Sequence, residues 1–261
     1  MIKSIKNILK YFKHLFDKTN LYNKPNELSK YSWNKVQSGI FQGKELFLPK
    51  TWGYKVKNLN HEREVFEVIK KVAPFSNVMY DIGAHYGWFS VAWVCYGGKL
   101  VEAFEPADQN ADVMTETINK NNLHDSIKLH RHALGDKTKK EKLVLFPNDS
   151  SRNFIETSAN QSSSSKDFQT INVQTFTLDD LIKKIKPPDL IKIDVEGFET
   201  KVLKGAKNTI IKFHPTIVAE IHDVSNALEL ADFLSGIGYE MRILGYKGKS
   251  KSLPHVLWQM K

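Results

Sequence analysis

The sequence predicts an α/β fold: a mainly parallel seven-stranded sheet with helices on both faces. Three observations carry that expectation. From Asn77 onward, short apolar runs rich in Val, Ile and Leu alternate with segments of helical composition. The intervening segments reach about 10–15 residues, enough for the crossover that joins parallel neighbours. The length of 261 residues suits one large domain with an appendage.

Residues 2–16 open the chain with Ile2, Ile5, Ile8, Leu9, Phe12, Leu15 and Phe16 at helical spacing, and Lys3, Lys6, Lys10 and Lys13 fall between them. This is a basic amphipathic helix. Packing on its own domain, a dimer interface and contact with a membrane surface are all open to it. Residues 40–58, IFQGKELFLPKTWGYKVKN, read as short strands or a hairpin. Residues 61–72 are acidic first and basic last, which suits a helix and its dipole.

The alternation then begins. NVMYDIG is a buried strand, and YGWFSVAWVCYG is a helix stopped by Gly97 and Gly98. KLVEAFEP is the second strand, closed by Pro106, and ADQNADVMTETINKNN is a helix. SIKLHRHALG is the third strand. LDDLIKKI is a short helix, DLIKIDVEG the fourth strand and FETKVLKGAKNTI a helix. PTIVAEIHD, YEMRILG and PHVLWQM complete seven strands, with SNALELADFLSGIG a helix between the first two. Residues 137–176 interrupt the order: KLVLF and INVQTF resemble a hairpin inserted in the core. Between them lies a serine-rich insert at 148–168 that includes Ser162 to Ser165, either a lid over a site or a plain solvent loop.

Composition excludes several classes. With 41% hydrophobic and 26% charged residues the chain is neither disordered nor fibrous. The lone Cys95 excludes an intramolecular disulfide and an all-cysteine metal site. No apolar run approaches the ~18–20 residues of a membrane span, and the lysines of residues 2–16 interrupt any signal-peptide core. The expected location is cytoplasmic. The net charge of +9 suggests nucleic acid. Its distribution argues otherwise: residues 1–58 hold twelve lysines and three acids, and residues 59–261 are balanced. No nucleic acid is therefore expected as a partner.

The chemistry is concentrated at strand ends, where ligands bind in open α/β sheets. The first strand ends in Asp81-Ile82-Gly83-Ala84-His85-Tyr86-Gly87, a D-x-G-A-x-x-G loop before a helix. Gly83 permits the turn and Gly87 a close helix start. It lacks the three-glycine spacing of the dinucleotide fingerprint. Glu105 ends the second strand, 24 residues after Asp81, where an acid can hold both hydroxyls of a ribose.

These features together resemble the class I S-adenosylmethionine-dependent methyltransferases, with their Rossmann-like fold. The blocks DIGAHYGWFS, AFEP, NNL…ALGD, TLDDL, KIDVEGFE–KVLKGA and AEIH, in this order across residues 77–223, resemble the FkbM family. The resemblance implies O-methylation, of a sugar hydroxyl in a glycan, glycolipid or polysaccharide precursor. It implies a methyltransferase domain over 61–261, with residues 1–60 as a basic helix and β-rich lead-in. It further implies cofactor contacts from Asp81, Gly83, Ala84, His85, Gly87, Glu105, Ala133, Leu134 and Asp194. Asp81 would orient the glycine loop or meet the cofactor amino group through water. The segment His132-Ala133-Leu134 would flank the adenine, with Leu134 as readily a core residue.

Methyl transfer to oxygen needs an aligned acceptor and a base. Asp194 and Glu196 end the fourth strand, and Glu220 and His222 the fifth. His222 is the first choice of base, because imidazole titrates near neutral pH. Asp194 is the second, with Glu196 beside it. Asp194, Glu220 and His222 are also candidates to bind a divalent cation such as Mg2+. The plain alternative has Glu196 capping a helix and Glu220 paired with Lys192. A nucleic-acid methyltransferase and a noncatalytic cofactor-fold module are the competing functions. The neutral catalytic part opposes the first, and the intact KIDVEGFE and AEIH blocks oppose the second. A basic arm over residues 1–20 suggests peripheral contact at the inner face of a membrane.

Overall fold

The computed structural model describes residues 28–52, 62–146, 149–156, 168–222, 224–245 and 255–260. The helix expected over residues 2–16 and the serines Ser162 to Ser165 lie outside the described residues.

The lead-in is an antiparallel hairpin of β1 (Tyr31–Lys35) and β2 (Glu45–Pro49). It begins nine residues before the start expected from sequence, at Tyr31 rather than Ile40. Tyr31 and Trp33 alternate with polar residues, and Trp33 packs across the strands on Phe47 at 5.0 Å between ring centroids. A 3-10 turn, Lys50–Trp52, follows, and the helix α1 (Arg63–Val72) comes next, close to its expected place.

The central alternation follows the expected order: β3 (Val78–Ile82), α2 (Trp88–Cys95), β4 (Leu100–Phe104), α3 (Asp108–Lys120) and β5 (Ile127–His130). The third predicted strand is split. After His130 the chain leaves the main sheet and forms β6 (Ala133–Leu134) in a second sheet. That sheet is completed by β7 (Lys139–Leu145), β8 (Phe154–Ile155) and β9 (Gln169–Phe176), in the order β6-β9-β7-β8. The expected inserted hairpin is the β7–β9 pair, with Leu143 opposite Ile171.

The chain returns through α4 (Leu178–Leu181), β10 (Leu190–Ile193), α5 (Glu199–Lys204), α6 (Lys207–Phe213), β11 (Thr216–Glu220), α7 (Val224–Ser235), β12 (Tyr239–Ile243) and β13 (His255–Met260). One predicted helix is broken into α5 and α6 at Gly205. A Cβ at Gly205 would lie 2.0 Å from the carbonyl oxygen of Gly135, so glycine permits the second sheet to approach.

The main sheet runs β12-β13-β11-β10-β3-β4-β5. It is mixed. Five neighbours from β11 to β5 are parallel, and β13 is antiparallel to both β11 and β12. The connection from β12 to β13 contains no helix among the described residues, and an antiparallel return needs no crossover. Strand order reverses at β3, so the switch point lies between β3 and β10.

Two cores cover the sheet, separated by the two-residue alternation of its strands. Met79 and Leu190 face a core with Val65, Phe89 and Met114. That core also takes in Tyr31, Leu46 and Leu48 of the hairpin. Tyr80, Ile82, Ile191 and Ile193 face the other, with Phe176, Phe198 and Trp258. Asp81 and Lys192 share the first face, among apolar neighbours, at 0% and 4% exposure.

Candidate active site

A cavity of about 310 Å³ opens at the switch point, above the C-terminal ends of β3, β4 and β10. Its floor is the glycine loop. Gly83 has φ +77°, and a Cβ there would lie 1.8 Å from the Asp194 carbonyl oxygen. Only glycine allows the end of β3 to lie this close to the end of β10. Gly87, at φ +78°, packs on Met114 and begins α2; it is not part of the cavity wall. The amides of Gly83 and Ala84 both donate to the Phe104 carbonyl at 3.0 Å.

Glu105 fastens the loop to the second strand. Its Oε2 accepts the His85 N–H at 2.8 Å, and its Oε1 accepts the Ala107 N–H at 2.9 Å and Asn110 Nδ2 at 3.3 Å. Burial pushes its carboxyl up to about 7, against the pull of these donors. Glu105 also lines the cavity, with Ala84, His85, Ala133 and Leu134.

Asp81 does not reach the cavity wall. It is fully buried, accepting Ser90 Oγ at 2.6 Å on Oδ2, with Lys192 Nζ 3.7 Å from Oδ1. It ties β3 to α2 through Ser90 and to β10 through Lys192. Lys192 is the residue that joins the two strands. Its Nζ lies 3.3 Å from Asp194 Oδ2 and 3.4 Å from the Gly83 carbonyl, and it lines the cavity. Burial opposes its charge, but Asp194 and Asp81 outweigh burial and raise its pKa. The plain alternative pairs Lys192 with Glu220; its ion-pair partners are instead two aspartates. A lysine inside the apolar strand Leu190–Ile193 was the available sequence signal, because a buried lysine requires a partner.

The strand-end acids and His222 form one cluster. His222 Nδ1 lies 2.8 Å from Glu199 Oε1, and Nε2 lies 3.4 Å from Glu196 Oε2 and 3.7 Å from Asp194 Oδ1. Glu196 therefore meets His222 rather than capping α5, whose N-cap shows no side-chain bond. Burial alone would depress the imidazole; the bonds to Glu196 and Glu199 override it and push its pKa up to about 11. The ground for choosing His222 as base, a pKa near neutrality, does not hold in this arrangement. The ring stands behind the carboxylates rather than in the cavity wall. Asp194, Glu196 and Glu220 do line the cavity. Burial, with Asp194 beside it, pushes Glu220 up to about 8.

Sequence reasoning missed Glu199, which is fully buried and ties the loop by accepting Gly197 N–H at 3.1 Å. It also missed Trp52, which reaches the cavity from the lead-in, and Glu62, which reaches it from the start of α1. Nothing local in the sequence marks either. Glu62, His85 and Glu196 all hold positive φ, between 53° and 54°, and all three line the cavity. Such left-handed backbone in residues other than glycine gathers at functional sites.

Residues 81–246 match the family model of the methyltransferase FkbM domain. One relative, the hexuronic acid methyltransferase AglP of Haloferax volcanii, is 26% identical over 184 residues, 70% of this chain and 71% of AglP. Among solved structures, methyltransferase FkbM from Methylobacillus flagellatus KT superposes with a TM-score of 0.53 at 17% identity. That superposition covers 79% of this chain and 60% of the other, a likeness of fold.

Proposed function

Because the chain belongs to the FkbM methyltransferase family, we propose that it is an S-adenosylmethionine-dependent O-methyltransferase acting on a sugar hydroxyl of a glycan or glycolipid precursor. The observation that carries this reading is the single cavity shared by the glycine loop, Glu105 and the strand-end acids. Gly83 holds the loop against the Asp194 carbonyl and so sets the cavity floor on which a cofactor would lie. S-adenosylmethionine supplies an electrophilic methyl group when bound. Gly83, Ala84 and His85 would hold its amino-acid part, Glu105 its ribose, and Ala133 and Leu134 its adenine. The sugar class draws support from AglP, whose name specifies a hexuronic acid.

In this reading Asp194 takes the proton of the acceptor hydroxyl. Lys192 and charged His222 hold its carboxylate in place from either side. Transfer of label from methyl-tritiated S-adenosylmethionine to a panel of glycosides tests the reaction. Asp194→Asn should lower kcat by about 10²–10⁴, far more than it weakens cofactor binding, as loss of a general base does. An unchanged kcat would remove Asp194 from the role.

A divalent cation is the second reading, favoured by one observation. One ligand atom each from Asp194, Glu220 and His222 lie within 4.8 Å of one another. The two carboxylates suit Mg2+ or Mn2+, His222 could join them only on giving up its ring proton, and a cation there would lower the acceptor's pKa. Activity lost on EDTA treatment and restored by Mg2+ would support it; full activity in EDTA would discard it.

A further inference from the structure

We infer that Trp52, Ser150, Ser151 and Asn153 form an acceptor subsite for an uncharged pyranose ring. The inference rests on the methyl-transfer reading above and specifies its substrate. All four residues line the same cavity as the glycine loop. They come from two segments that the cofactor loops do not include: the turn after the hairpin and the turn before β8. Trp52 lies outside the family-matched residues altogether.

The wall is built rather than incidental. Trp52 packs at 5.6 Å from the His85 ring and 5.3 Å from the Tyr86 ring, which fixes its orientation. Ser150 Oγ lies 2.9 Å from His85 Nε2 and 2.5 Å from Tyr86 Oη. The 3-10 turn Ser150–Arg152 is thereby bonded to the glycine loop. Asn153 is held by its Oδ1, which accepts the Phe146 N–H at 2.9 Å. Its amide NH2 makes no bond to a described residue.

An aromatic face beside hydroxyl and amide groups matches a pyranose, which presents a C–H face and a polar rim. The remaining charged lining selects against a carboxylate on that ring. Glu62, Asp194, Glu196 and Glu220 line the cavity, and among the described lining residues there is no arginine. Lys192 is the one lysine among them, and Asp81 and Asp194 clasp it. Recognition of a carboxylate calls for an uncommitted cation, whereas hydroxyls can donate to these acids.

The test uses the full chain, methyl-tritiated S-adenosylmethionine, and two sets of probes: methyl hexopyranosides and the corresponding hexuronates. Label should enter at least one uncharged glycoside in preference to its hexuronate. Trp52→Ala should raise KM for that glycoside about tenfold, and Trp52→Phe should restore most of it. Cofactor affinity should be unchanged in both. Asn153→Ala gives an independent variant should Trp52→Ala fail to fold, with KM raised severalfold. Label confined to hexuronates, or an unaltered KM in Trp52→Ala and Asn153→Ala, would overturn the subsite. No transfer to any sugar by a chain that binds the cofactor would overturn the sugar reading itself, and the subsite with it.

Discussion

His132 is buried at a cost. It is 2% exposed, and neither ring nitrogen has a hydrogen-bond partner. Phe176 and Phe104 pack on it at 4.7 and 5.7 Å between ring centroids. Burial, with His130 beside it, lowers its pKa to about 3. Between about 6.5 and about 3 the unfolded chain therefore binds a proton that the folded chain does not. The stability linked to this residue is complete above the unfolded pKa and is lost as pH falls towards the folded one. Moving from about pH 8 to about pH 5 should cost the folded chain about 2 kcal/mol through His132. His132→Phe should remove that part of the acid-side loss, read by urea unfolding at both pH values. An equal loss in the variant would contradict the assignment. The sequence placed His132 beside the adenine wall, yet its ring is not part of the cavity lining, whereas Ala133 and Leu134 are. A strand end specifies a neighbourhood; which side chains turn inward depends on the split between β5 and β6, which no local pattern marks.

The elements differ in how far local pattern could reveal them. The five parallel strands were legible because each is a short buried apolar run bounded by turn residues. The glycine loop was legible because glycine is required where backbone meets backbone, as at Gly83 and Asp194. The hairpin start was not, because Tyr31–Lys35 pairs with β2, which a distant helix holds in place. Glu45 N–H donates to Asn121 Oδ1 at 3.0 Å, and Asn121 Nδ2 donates to the Glu45 carbonyl at 2.7 Å. Thr117 Oγ1 accepts the Phe47 N–H at 3.0 Å. These three bonds fix β2 on α3 and thereby the turn that carries Trp52. Asn121→Ala should leave the Glu45 N–H without its partner, at a cost of about 1–3 kcal/mol. Hydrogen exchange should quicken at Glu45 and Phe47 while β3 and β10 stay protected. Uniform exchange across the chain, or none gained at the hairpin, would count against this docking.

At the scale of the molecule, the positive charge is concentrated at one end of the sequence. The excess of lysine lies in residues 1–58, and the remainder is balanced. Among the described residues no helix is long and apolar enough to cross a membrane. We propose that residues 1–20 hold the enzyme against an anionic surface, where lipid-linked sugars are assembled. Deleting them should abolish salt-sensitive co-sedimentation with anionic vesicles and leave cofactor binding intact; sedimentation unchanged by the deletion would refute the role.

The core of the account is that the cavity above Gly83 binds S-adenosylmethionine, with Glu105 as its polar anchor. Titration calorimetry of the cofactor into the full chain and into Glu105→Ala measures this directly. Saturable binding to the wild-type chain is expected, weakened about 10–100-fold by the substitution through loss of hydrogen bonds to the ribose. No binding to the wild-type chain, or equal affinity in the two, would contradict it.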